Sequence, residues 1–138
     1  MISSRDIATL RPRTQVKARA MEARCRAAGK PILIYATLRD SESQNELYAQ
    51  GRTKPGKIVT NAKGGDSYHQ YGVAFDFVPI INGVTNWGDT ARYRECAEIG
   101  KQCGLEWGGD FKSFKDMPHM QDTLGYSVAD YKAGRMTT

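Results

Sequence analysis

Ser67-Tyr-His-Gln-Tyr-Gly-Val-Ala-Phe-Asp-Phe-Val-Pro79 carries a carboxylate, Asp76, between Phe75 and Phe77 in an otherwise apolar run. Aromatic and β-branched residues after Gly72 make Val73 to Pro79 a strand rather than a helix. A carboxylate inside such a strand is expensive to bury unless it is paired or bound to a cation. His69 then becomes a neighbour of Asp76 through a turn entering the strand, not through helical stacking. Taken singly, a loop histidine and an aspartate bonded to backbone amides account for the two residues equally well.

The elements on either side set the fold class. Downstream, Asn82-Gly83 signals a hairpin into a short strand around Val84-Thr85. Asp89 caps a helix to Gln102 that Gly104 ends, and short strands follow around Leu105-Glu106-Trp107 and His119-Met120-Gln121. A last helical turn or two begins at Ser127. Upstream, Pro31 to Leu38 is a buried strand, and Ser41 is an expected N-cap for a helix through Gln50. Pro12 sits in the first turn of a helix through about Ala28, with Val16, Ala20, Ala23 and Ala27 as its expected apolar face. Residues 52–66, RTKPGKIVTNAKGGD, form a surface loop long enough to suggest function or mobility. Helices and strands mix without βαβ alternation, so the expected architecture is an α+β domain, a small mainly antiparallel sheet flanked by helices.

The 138 residues match one domain, with 40% hydrophobic and 25% charged residues, enough for one core. The longest apolar run, Pro31 to Ala36, is far short of the ~18 residues of a membrane span. No signal peptide is read at the N-terminus, so synthesis in a cytoplasm is expected. The formal charge is +5, and eight cations fall in the first thirty residues, Arg5, Arg11, Arg13, Lys17, Arg19, Arg24, Arg26 and Lys30. A solvated helix face explains them; so does attraction to an anionic wall or membrane. No basic and aromatic residues interleave in a nucleic-acid-binding pattern. Cys25, Cys96 and Cys103 are odd in number and lack a CxxC pair, so they read as small, mostly buried thiols.

The second chemical segment is Asp116-Met-Pro-His119. Pro118 discourages a helix, and His119 opens a short extended run. The chain's two histidines each lie near an aspartate. Two His and one carboxylate make a zinc set with an open fourth position, the arrangement of a catalytic site. Asp116 is left as a nearby carboxylate free to handle protons.

Together, Ser67-x-His69-x-x-Gly72-x-Ala74-x-Asp76 and Asp116-x-x-His119 resemble the zinc DD-carboxypeptidase and L-alanyl-D-glutamate endopeptidase family, above all its small bacteriophage endolysins. Leu38-Arg39-Asp40-Ser41-x-x-Gln44-x-x-Leu47-Tyr48-x-Gln50-Gly51 is similar to the family's Arg-containing strand-to-helix segment, and Trp107-Gly108-Gly109-Asp110-Phe111 to the stretch before its last zinc ligand. The resemblance covers about residues 30–122 of an expected single domain, 1–138. It implies the DD-peptidase, hedgehog-like fold, zinc on His69, Asp76 and His119, and Asp116 as catalytic carboxylate. By the same resemblance Arg39 meets the carbonyl as it becomes an oxyanion; a surface pairing with Asp40 or Glu42 is its alternative. Ser67 and Gln44 either bind the peptide or orient the loop and cap the helix. Trp107 is either a wall of the substrate pocket or core.

The expected function is zinc-dependent cleavage of the L-alanyl-D-glutamate bond of peptidoglycan stem peptides by a monomeric phage endolysin. Holin-dependent passage would bring it from the host cytoplasm to the cell wall. The alternatives are a D-Ala-D-Ala carboxypeptidase and a non-catalytic, zinc-bearing wall-binding module.

Overall fold

The computed structural model describes residues 1–136. Its elements run α1 (Pro12–Ala27), β1 (Ile32–Ala36), α2 (Ser41–Ala49), β2 (Ala74–Ile81), β3 (Val84–Thr85), α3 (Thr90–Gln102), β4 (Glu106–Trp107), β5 (His119–Gln121) and α4 (Val128–Ala133). The sheet has the order β1-β2-β5-β4 with β3 paired to β2, and every pairing is antiparallel. This is the α+β architecture expected from the element pattern.

Strand alternation separates a core face from a site face. Phe75, Phe77, Met120 and Trp107 turn inward onto α1 and α3 and are fully or almost fully buried. Phe77 meets Tyr93 of α3 at 5.3 Å between ring centroids. Gly100 lets α3 come close to the sheet, since a Cβ there would stand 2.7 Å from both Met120 Cε and Met21 Sδ. Asp76, His119 and Gln121 occupy the alternate positions and face a cavity instead. Asn82 and Gly83 both take positive φ, 54° and 77°, as a tight primed hairpin turn requires.

Three local expectations are corrected. In α1 the buried face is Thr14, Ala18, Met21 and Cys25, while Val16 is 69% exposed. Small alanines leave the helix nearly indifferent to rotation, and a polar anchor decides it. Thr14 Oγ1 donates to Asp122 Oδ2 at 3.0 Å, and Lys17 and Arg13 close on the same buried carboxylate at 2.6 and 3.2 Å. Two of the N-terminal cations are therefore internal partners, not a solvated face. In α2 the N-cap is Asp40, not Ser41: its Oδ1 accepts from the Ser43 amide at 2.8 Å. Cys25 and Cys96 are buried and Cys103 half-buried at the end of α3.

Candidate metal centre

Antiparallel pairing of β2 with β5 sets Asp76 directly opposite His119. His69 arrives from the 3-10 turn Tyr68–Tyr71, which ends at Gly72 in the left-handed conformation, φ 71°. That turn is held by a capping box. Ser67 Oγ accepts from the His69 amide at 3.3 Å, and Gln70 Oε1 accepts from the Ser67 amide at 3.0 Å. Ser67 thus acts on the loop that presents His69, although it also lines the cavity.

The three donor atoms converge. His69 Nε2 lies 3.3 Å and His119 Nδ1 3.6 Å from Asp76 Oδ1, and the three ligand atoms fall within 4.8 Å of one another. Donors around a tetrahedral zinc at ~2.0–2.1 Å stand roughly 3.3 Å apart, which the two distances to Asp76 nearly match. Outer partners fix both rings. His69 Nδ1 faces the Thr37 carbonyl at 2.9 Å and His119 Nε2 faces Gln121 Oε1 at 2.7 Å. Each acceptor requires a proton on the nitrogen it meets, which leaves the other nitrogen's lone pair aimed at Asp76.

A cation fits this donor set. Asp76 Oδ1 is buried without a hydrogen-bond partner, an arrangement that costs free energy until a positive charge arrives. Electrostatics say the same. Burial pushes Asp76 up, yet His69 and His119 more than reverse it and hold the carboxyl far below its usual range. Burial lowers His119, but Asp76 and Asp116 raise it overall. The cluster attracts positive charge, proton or metal.

Asp116 lies on the wall of the same cavity. Burial raises its carboxyl, the Asp76 charge adds to this, and His119, His69 and Arg39 oppose it. Its backbone is tied down by Asp116 N–H to Gly108 carbonyl at 3.0 Å and His119 N–H to Asp116 carbonyl at 3.2 Å. A Cβ on Gly108 would lie 2.3 Å from the Asp116 carbonyl oxygen, so only glycine admits this turn. Trp107 is 1% exposed and lies in the core, not on the cavity wall. Its indole N–H donates to the Met117 carbonyl at 2.8 Å and so holds the segment between Asp116 and His119.

Arg39 reaches 3.6 Å from Asp76 Oδ2 and donates to Gln44 Oε1 at 3.0 Å, so its partner is Asp76 rather than Asp40 or Glu42. Gln44 is 1% exposed and ties Arg39 to the long loop through the Ala62 carbonyl at 2.8 Å. Val59 to Ala62 of that loop form one side of the cavity, whose volume is about 770 Å³. The loop is strapped further by Asn45 Oδ1 to the Gly64 amide and by the Tyr71 hydroxyl to the Gly65 carbonyl, 2.8 and 2.6 Å.

Thr37, Gln121 and Tyr35 escaped the sequence reading. Gln121 had a usable signal, two residues beyond His119 on the same strand face. Thr37 contributes only a carbonyl, which no side chain advertises. Tyr35 sits at the irregularity between Ile34 and Ala36 in β1 and lines the cavity. Burial and the Asp76 charge push its phenol up, keeping it a hydrogen-bond donor at neutral pH.

Comparison with known proteins places these residues in a lineage. Residues 60–122 match a family model described as D-alanyl-D-alanine carboxypeptidase. A Bacillus subtilis peptidoglycan L-alanyl-D-glutamate endopeptidase, CwlK, is 42% identical over 81% of this chain and 72% of its own. An L-alanyl-D-glutamate peptidase of a Listeria phage is 31% identical over 80% of this chain but only 37% of its own. The crystal structure of the Serratia marcescens L-Ala D-Glu endopeptidase ChiX superposes with a TM-score of 0.66 at 26% identity, covering 95% of this chain and 92% of that one. The fold, the paired histidine–aspartate motifs and a relative matched over most of both chains agree: the protein belongs to the zinc D-alanyl-D-alanine carboxypeptidase and L-alanyl-D-glutamate endopeptidase family.

Proposed function

We propose that this protein is a zinc-dependent endopeptidase that cuts the L-alanyl-D-glutamate bond of peptidoglycan stem peptides. The observation that carries the choice of bond is the charge of the cavity. Its lining includes one Lys or Arg, Arg39, which holds Asp76 and Gln44 and whose remaining N–H groups are taken by the scissile carbonyl oxygen. A carboxypeptidase must hold its substrate's terminal carboxylate beside the scissile bond, which calls for a free cation there. An internal bond makes no such demand.

His69, Asp76 and His119 would hold the zinc, with Thr37 and Gln121 fixing the two rings. Zinc bound there would supply Lewis-acid polarisation of the scissile carbonyl and a more acidic water at neutral pH. The Asp116 carboxylate takes the proton of the water that attacks the carbonyl carbon and returns it to the leaving amine nitrogen. Burial raises its pKa toward the operating pH, the direction that proton transfer both ways favours, and a bound zinc would oppose that rise. Arg39 faces the cavity beside Asp76 and donates to the carbonyl oxygen as negative charge develops. Gln44 keeps the guanidinium in place, and Phe111 packs against His119 at 5.8 Å between centroids.

The protein acts on the cell wall as a monomeric phage endolysin, made in the host cytoplasm and reaching the wall after a holin opens the inner membrane. No helix among the described residues is long and apolar enough to cross a membrane. Digestion of purified peptidoglycan, with mass spectrometry of the new ends, tests the proposal. New N-terminal D-glutamate with free L-alanyl carboxyl ends is expected. Release of D-alanine alone would replace the proposal with carboxypeptidase action, and intact muropeptides with tight wall binding would replace it with a binding module.

A further inference from the structure

A second hollow of about 550 Å³ adjoins the catalytic cavity. Tyr35, Arg39, Leu47 and Gln50 line both, so the two are neighbouring stretches of one groove that passes Arg39. The chemistry changes along it. The wall of the second hollow brings Glu46 and Lys54, which are ion-paired and 48% and 52% exposed. An ion pair so open to water is worth little and is readily exchanged for contacts to a ligand. Ser43, a buried residue beside Asp40, adds a hydroxyl to the wall. A mostly apolar recess with a few polar groups at its edge is the usual form of a ligand subsite.

We propose that this second hollow binds the charged, carboxyl-side part of the substrate peptide, with a carboxylate at Lys54 and an ammonium at Glu46. The inference rests on the peptidase function proposed above and assigns it a second subsite. Charge complementarity gives the direction. Beyond an alanyl–glutamyl bond a stem peptide carries the glutamate carboxylate and the free amine of a diamino acid. On the amino side it continues into uncharged sugar. Opposite charges side by side match the former and have no counterpart in the latter. The arrangement also places the peptide-binding cation one hollow away from the metal cluster, which suits an internal cut.

Two measurements test this. The first follows binding of the product-like dipeptide γ-D-glutamyl-L-lysine by amide chemical shifts of the zinc-loaded protein. Shifts at Ser43, Glu46 and Lys54 are expected, and shifts confined to other residues, or none, overturn the proposal. The second compares cleavage of L-alanyl-γ-D-glutamyl-L-lysine and of L-alanyl-D-glutamate diamide by the parent and by the Glu46→Gln, Lys54→Met double variant. Contacts to charges so open to water are worth at most about fivefold each, so the variant's preference for the tripeptide should fall several-fold, through KM with kcat nearly constant. Equal loss on both peptides overturns the subsite. Shifts at the three residues without cleavage of either peptide would sink the peptidase proposal and leave the binding site standing; cleavage without those shifts does the reverse.

Discussion

Asp76 and His119 stand opposite each other on neighbouring antiparallel strands, with Oδ1 of one 3.6 Å from Nδ1 of the other. Register alone therefore brings a carboxylate and an imidazole together, and the turn before β2 adds His69 from the side. A slip of one residue would turn His119 into the core and Met120 into the cavity. The candidate metal centre and the sheet are in this sense one structure.

His119→Ala should remove near-stoichiometric zinc binding, because it leaves two protein donors where three are needed. Metal analysis after gel filtration checks this, and full zinc content in the variant would refute the ligand set. Chelation of the parent protein should lower its melting temperature, since a metal bound only by the folded form stabilises it by mass action.

Asp116→Asn should keep zinc and fold while kcat falls ~10²–10⁴-fold, the usual contribution of a general acid–base group. The parent's kcat/KM should fall on the acid side as Asp116 takes up a proton. Burial raises that carboxyl and a bound zinc would lower it, and on either balance activity is retained above the limb and lost below it. Steady-state rates across pH measure the limb; its persistence in Asp116→Asn would assign it to another group.

Gln121→Leu removes the acceptor that keeps the proton on His119 Nε2. Outer partners of metal-bound histidines typically contribute 10–100-fold to affinity or activity. Competition with a chelator should show zinc held more weakly in that range, with the fold intact by circular dichroism.

Asp122→Ala should destabilise the protein by about 1–3 kcal/mol, because the buried Thr14 hydroxyl and Lys17 lose their acceptor while Arg13 keeps the Tyr131 hydroxyl and the residue-122 carbonyl. Neutralising the exposed Arg19 and Arg24 instead should leave the urea midpoint nearly unchanged and weaken wall binding at low salt only. If the Asp122 and arginine variants unfold alike, the clamp is not the anchor of α1.

Gly108→Ala should cost both stability and zinc retention, since the new methyl would sit 2.3 Å from the Asp116 carbonyl and 2.9 Å from His119 Cβ. Thermal unfolding and metal content measure the two effects together.

The linear chain determined a good deal by itself. Propensity, turn residues and alternation suffice for β1, β2, the Asn82-Gly83 hairpin and α3 capped by Asp89, because each is decided by neighbours within a few residues. The pattern His69, Asp76, Asp116 and His119 stands out because a carboxylate in an apolar strand needs a partner. Long-range packing decided the rest. Which face of α1 is buried depends on Asp122, more than a hundred residues away, and alanines give no local preference. Trp107 lies in the core rather than the cavity because its indole reaches the Met117 carbonyl. Arg39 meets Asp76, and the Thr37 carbonyl orients His69, only once β1 lies beside β2. Local sequence sets what a segment prefers to be, while the atoms that complete a buried charge come from wherever the fold delivers them.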